Sequence, residues 1–233
     1  NDKEFLGLFD DDIPIPHSQP EHKNNGLDRN NKSLPSIDEL VAKLKSSDNY
    51  KNFRAILQKK IDNEERAKEI LKTNLGRLNT KQLTEVFTLV DEPYPYLKDD
   101  KISKAPWFGR LINSNTSTLL EENEDTINNW FSILTDNSLS VEEKFEFLLH
   151  GPHRIRGLNV GFVTLMLYIL DKKNYAIWFE GLHNGLAIIF PDLGNYSGTS
   201  GQYQSYNDRA IKFVKYYGFD PTELDWILST GIY

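Results

Sequence analysis

The residues with the most chemistry in their spacing are His150-Gly151-Pro152-His153-Arg154-Ile155-Arg156-Gly157-Leu158-Asn159-Val160-Gly161. His153, Arg154 and Arg156 bring hydrogen-bond donors and positive charge to one short segment. Gly157 and Gly161 let the backbone approach a ligand closely or take a positive φ. The apolar run that follows predicts a helix. Its first amides have no intrahelical partner, and its dipole favours negative charge in front of them. These features predict a phosphate grip made by His153, Arg154, Arg156, Gly157, Asn159, Val160 and Gly161. Two helices must position it. The first is expected to end near His150, where Gly151 and Pro152 stop it, and the second to be buried through Phe162, Leu165, Met166 and Ile169, with Leu158 anchoring the turn.

Other chemistries fit less well. His150 and His153 are three apart and His183 is a third imidazole, but no acid or cysteine completes a ligand set and Pro152 breaks the helix between the first two. Gly194, Gly198 and Gly201 are not followed by Lys-Ser/Thr, so no phosphate-binding loop of that kind is expected. No nucleophile triad or dinucleotide turn is present. No catalytic residue, metal or cofactor is therefore assigned. Trp178 follows the second helix and has two readings, a surface on which a flipped base stacks or, with Trp107, Trp130 and Trp226, a member of the core.

The formal charge of −7 over 233 residues weighs against nucleic acid when taken alone. It is unevenly spread. Residues 1–30 hold seven acids and three bases, −4, which leaves −3 for the remainder and room for a local basic patch. The chain has no cysteine. The longest apolar stretch, Val160 to Leu170, is short of the roughly 18–20 residues needed to span a bilayer. No membrane association and a cytoplasmic location are the expectations.

Stepping along the chain, residues 1–36 read as an acidic tail or linker rich in Pro, Asn and Asp. Within it, Phe5, Leu6, Leu8 and Phe9 precede three aspartates and could dock into a protein partner. Ser36 with Glu39 predicts a capped helix start. Helices are expected over Tyr50 to Leu75, Thr80 to Val90, Thr118 to Leu134 and from Ser140 to near His150, with a loop over Asp91 to Lys98 and a short helix in Lys101 to Ile112. The Lys51, Arg54, Lys59 and Lys60 cluster reads as a solvated helix face. Ala187 to Phe190 fits a strand or a buried helix end. A helix over Tyr203 to Tyr217 should end at Gly218, with Asp220-Pro221 opening a last one. The fold class is mostly α, a multi-helix orthogonal bundle, with subdomains over 37–135 and 136–233.

Ile155 to Val163 resembles the helix-hairpin-helix of DNA-binding and repair proteins, whose pattern runs apolar, x, Gly, apolar, Gly, x, x, x, Ala. Gly157 and Leu158 match, Asn159 stands at the second Gly and Val163 at the Ala. The run Leu170 to Trp178 and the closing Leu224 to Leu228 are similar to helical N-terminal domains of bacterial and archaeal defence proteins, including McrB-like subunits of restriction systems. The resemblance spans about Leu78 to Leu228, and its specific part is Arg154 to Trp178. It implies binding of DNA, duplex or single-stranded. Base-removing lyases that share the hairpin use a lysine where this chain has Gly161 and an aspartate in the region of Tyr175 to Phe179, which holds no acid before Glu180. The expected function is nucleic-acid recognition in a restriction, defence or repair setting. The alternatives are a non-enzymatic protein-interaction module and a glycosylase-like enzyme.

Overall fold

The computed structural model describes residues 36–92, 94–98, 101–105 and 114–231. The tail up to residue 35, with Phe5, Leu6, Leu8 and Phe9, lies outside the described residues, as does Trp107. What is described is mostly α-helical, as the sequence predicts. No described helix is long and apolar enough to cross a membrane.

Local signals set most of the helix starts. Helix α1 (Ile37–Ser46) begins where Ser36 Oγ accepts the Glu39 amide and Glu39 Oε2 accepts the Ser36 amide, a reciprocal capping box. Ser47 closes α1 and its hydroxyl caps α2 (Asp48–Thr73) by accepting from the Tyr50 amide. Asn79 and Gln82 form a second box at α3 (Thr80–Val90), which packs along α2. Strands β1 (Tyr94–Lys98) and β2 (Lys101–Ala105) then pair antiparallel, Tyr94 opposite Ala105 and Lys98 opposite Lys101.

This hairpin corrects the loop expected over Asp91 to Lys98 and the helix expected from Lys101. A proline such as Pro95 has no N–H to give a ladder and is disfavoured inside a strand. Counted outward from the Lys98–Lys101 pair that closes a two-residue connection, it falls at a non-hydrogen-bonded position, where its missing N–H removes no ladder bond. A second correction concerns Thr118 to Leu134, which is two helices, α4 (Ser114–Glu122) and α5 (Glu124–Thr135). Asn123 leaves helical geometry at φ −122°, ψ 21°, and its side-chain amide donates to the Leu119 carbonyl at 2.8 Å. Such a local bond competes with helix continuation.

Helix α6 (Val141–Phe145) opens with the Ser140–Glu143 box and widens into a π turn over Glu146–His150. Helix α7 (Val160–Asp171) follows the glycine-rich turn, and α8 (Glu180–Ile189) makes Ala187 to Ile189 a helix end rather than a strand. Helix α9 (Ser200–Tyr217) stops at Gly218, whose φ of 68° is the left-handed cap. Asp220 caps the closing segment, a 3₁₀ turn at Pro221–Glu223, α10 (Leu224–Trp226) and a π turn to Gly231.

The expected halves, 37–135 and 136–233, share one hydrophobic core. Helix α2 joins them. Its buried stripe is Phe53, Leu57, Lys60, Glu64, Ala67 and Leu71, and it packs on α7 and on the segment after Asp220. Trp226 stacks on Phe53 with centroids 4.5 Å apart. Gly185 lets α8 cross the last turn closely, since a Cβ there would sit 2.3 Å from the Leu228 carbonyl oxygen.

Lys60 lies within this stripe, 3% exposed, which corrects its assignment to a solvated face. Its ammonium donates to both Asp225 oxygens at 3.1 Å and to the Thr222 carbonyl at 3.0 Å, and pairs with Glu64 at 3.1 Å. Glu64 also accepts from Tyr168 at 2.8 Å, Lys172 at 3.1 Å and Thr222 Oγ1 at 2.7 Å. Nearby, Glu223 accepts from Tyr50 Oη at 2.8 Å and Arg54 at 3.1 Å. Among the described residues no buried side-chain nitrogen or oxygen lacks a partner. Burial alone would lower Lys60, but the Asp225 and Glu64 carboxylates outweigh it and hold it above the usual lysine range. Burial pushes Asp225 up, against the pull of Lys60. Burial, then the Glu223 bond, raises Tyr50 to about 12.

A raised pKa in the folded state gives stability that is present below the unfolded value and lost as pH rises through the folded one. Lys60 and Tyr50 carry the alkaline part of this, because both are raised from values near 10, whereas the raised Asp225 starts from the carboxylate range and acts at lower pH. The junction of α2 with the closing segment is therefore weakened by alkali. The urea midpoint is expected to fall between pH 10 and 12. Tyr50→Phe should lose about 1 kcal/mol at neutral pH and show a shallower alkaline fall; an unchanged fall refutes the assignment. Lys60→Met leaves the buried Asp225 without its cation and Glu64 with Lys172 alone, and should cost about 3–5 kcal/mol, read from urea unfolding at pH 7.

Candidate nucleic-acid interface

The π turn at the end of α6 delivers the chain to the candidate site. Its closing bond runs from the Gly151 amide to the Glu146 carbonyl at 2.7 Å. Only glycine fits there, because a Cβ would lie 2.9 Å from the Phe147 carbonyl oxygen. Two tight turns follow, closed by Arg154 N to Gly151 O and by Leu158 N to Ile155 O, each at 3.2 Å. Gly157, at φ 97°, takes a backbone conformation that favours glycine.

Three interactions hold this turn to the body. Ile155 is 2% exposed and Leu158 6%, so both plug into the core. The Trp130 indole N–H donates to the His153 carbonyl at 2.6 Å. Between and beside these anchors, Arg154, Arg156 and Asn159 are exposed and His153 is half-buried. Arg154 makes no ion pair with any described residue.

The helix entrance does not present the amides that the sequence predicts. Asn159 is the N-cap of α7, and its Oδ1 accepts from Gly161 at 3.0 Å and Phe162 at 3.4 Å. Its carbonyl accepts from Phe162 and Val163. Val160 and Gly161 are buried. The expected cradle is thus taken at Gly161 by the chain's own carboxamide and is buried at Val160. The cationic part of the expected site is exposed and the amide part is internal.

Of the two readings of Trp178, the core holds and the base-stacking one is corrected. Trp178 is 0% exposed, with Tyr196, Tyr203, Tyr206 and His183 around its ring, so it offers no face to a base. Its indole N–H donates to His183 Nδ1 at 3.1 Å. That fixes the imidazole with its proton on Nε2, donating to the Gly194 carbonyl at 3.0 Å. His183 is therefore occupied inside the core, apart from the exposed His150.

The segment Tyr175 to Phe179 is buried at Ala176, Ile177 and Trp178 without being helical. Its backbone groups find side-chain partners instead. Asn207 accepts the Ala176 amide, Tyr203 donates to the Ala176 carbonyl, Tyr206 donates to that of Ile177, and Thr164 accepts the Trp178 amide. The run Leu170 to Trp178 is thus positioned by α7 and α9. Sequence reading missed Thr164, Tyr203, Tyr206 and Asn207, although the last three share one face of α9 with Ala210. Glu180 opens α8, where a carboxylate complements the helix dipole.

No protein-family model matches the chain, and no curated protein or solved structure matches it either.

One prediction follows from the cap. Asn159→Ala should cost about 1 kcal/mol, as loss of an N-cap does, while Asn159→Asp should keep stability within a few tenths. Thermal unfolding of both variants decides it: equal losses mean that the side-chain oxygen is not what satisfies these amides.

Proposed function

We propose that the chain binds nucleic acid through the side chains of the turn at residues 151–159, with Arg154 and Arg156 set against backbone phosphates. The observation that carries this reading is two exposed arginines flanking the buried Ile155 on a turn held by Trp130. A rigid platform loses little freedom when it binds, and guanidinium matches phosphate geometry in two hydrogen bonds. His153 supplies a further donor at the rim. Gly157 shapes the turn, and Asn159 is exposed at the helix entrance where a phosphate would meet its amide nitrogen.

The resemblance of this turn to the helix-hairpin-helix, and of its flanks to defence-protein domains, supports DNA as the ligand and a recognition role within a restriction, defence or repair assembly. It supports no base-removing step, since Gly161 and its buried surroundings offer no amine.

Arg154 neutralises about one phosphate and Arg156 adds to it, so the log–log salt dependence of affinity should be shallow, with a slope between about −1 and −2 on duplex and somewhat less on single strands. Fluorescence anisotropy with labelled duplex and single-stranded oligonucleotides at several salt concentrations measures it. Arg154→Ala should reduce the slope by about 1, with Arg156→Lys as a charge-preserving comparison. No salt-dependent binding of either form, or a slope unmoved by Arg154→Ala, removes the proposal.

A further inference from the structure

At the far end of α9, Tyr216 is 77% exposed, more than any other large apolar side chain among the described residues. It is not loose. Tyr217 meets it edge-on with centroids 4.8 Å apart. Lys212 lies one helical turn before it and Lys215 beside it, both exposed. The end of α1 is fastened to the same place, because Lys45 donates to the Tyr217 carbonyl at 2.7 Å and lies over the Phe219 ring. Lys43 is exposed on that helix. Lys43, Lys212 and Lys215 have no ion-pair partner among the described residues. The neighbouring acids are taken: Asp38 accepts from Tyr217 Oη and Asp208 from Gln204, both neutral donors, and neither pairs with a lysine. Lysines near helix ends complement the dipoles, but that does not account for an aromatic ring held in water among them.

We propose that this face takes an acidic, aromatic peptide, and that its occupant is the chain's own Glu4-Phe5-Leu6-Gly7-Leu8-Phe9-Asp10-Asp11-Asp12 stretch. The chemistry is complementary: apolar side chains for Tyr216 and carboxylates for the lysines, from a region whose charge is −4 over residues 1–30. The place is right as well. The described chain starts at Ser36, and Tyr217 bonds Asp38 at 2.8 Å, so the polypeptide enters the fold beside Tyr216. The 23 residues between Asp12 and Ser36 reach at most about 80 Å, several times the roughly 15 Å length of α1. A covalent tether of this size gives an effective concentration of order millimolar, so a weak contact suffices.

The absence of cysteine allows a direct test. A nitroxide attached to Gly7→Cys in the full chain should selectively broaden the backbone amide signals of Lys212 to Tyr217. The broadening should be lost in Lys212→Glu/Lys215→Glu and, separately, in Phe5→Ala/Phe9→Ala. The two pairs alter opposite partners, so a folding defect in one leaves the other readable. No selective broadening, or broadening that survives both pairs, overturns the proposal. So does broadening that arises only between labelled and unlabelled copies, which assigns the face to a second copy. An oligonucleotide that shifts these amides when the label has no effect assigns it to nucleic acid and overturns it equally.

Discussion

A helix buried on every side leaves its own ends nowhere to find water. Helix α7 is in that position, with every residue from Val160 to Leu170 buried. Its apolar surface draws α2 and α5 around it, and its two polar ends have to be satisfied by the protein. At the start, Asn159 turns its carboxamide back onto Gly161 and Phe162. At the end, the Asp171 carbonyl accepts from the Asn174 and Tyr175 amides at 3.1 and 3.0 Å, and beside it the Tyr168 and Lys172 side chains reach Glu64 and Thr222. The asparagine cap and the turn after Asp171 answer the same requirement at opposite ends of one helix, and the charge cluster fastens the second end to α2.

That requirement explains which parts of the sequence were legible. Caps are short-range and could be read directly: Ser36 with Glu39, Ser140 with Glu143, Asp220 before Pro221, and Gly218 as the left-handed stop. The break at Asn123 was hidden because Leu119, Ile127 and Leu134 keep helical spacing across it. The hairpin at Tyr94 to Ala105 was hidden by Pro95, since the harmless register of a proline is known only once the pairing is known. The charge cluster left a trace that is plain in retrospect. Phe53, Leu57, Lys60, Glu64, Ala67 and Leu71 are spaced four, three, four, three and four, so Lys60 and Glu64 sit squarely in the apolar stripe. Their partners are more than a hundred residues away in Tyr168, Thr222 and Asp225, which local charge counting cannot find.

The candidate site divides along the same line. Side-chain exposure was legible from the alternation of Arg154, Ile155 and Arg156, where one apolar residue between two cations fixes which way each points. The availability of main-chain donors was not. A glycine-rich turn before an apolar helix signals free amides only if the residue at the cap cannot take them, and asparagine is among the best residues for doing so. Where the helix-hairpin-helix pattern has its second glycine, this chain has Asn159. Under the proposed function, that one difference moves phosphate contact from the backbone to the arginines.

The geometry of α9 gives the last step. Near its start, Tyr203 stacks on Phe145 with centroids 5.3 Å apart, next to the helix that leads into the basic turn. At its end, Tyr216 stands among lysines. The separation of 13 positions between these tyrosines corresponds to about 20 Å of helix, well beyond the Debye length of about 8 Å at physiological salt. Charge placed on one of these surfaces is therefore screened from the other. An acidic peptide held at Tyr216 would leave the field at Arg154 and Arg156 almost unchanged. A net charge of −7 can then coexist with an anion-binding turn, because what decides attraction is the charge within one screening length of the phosphate, not the total.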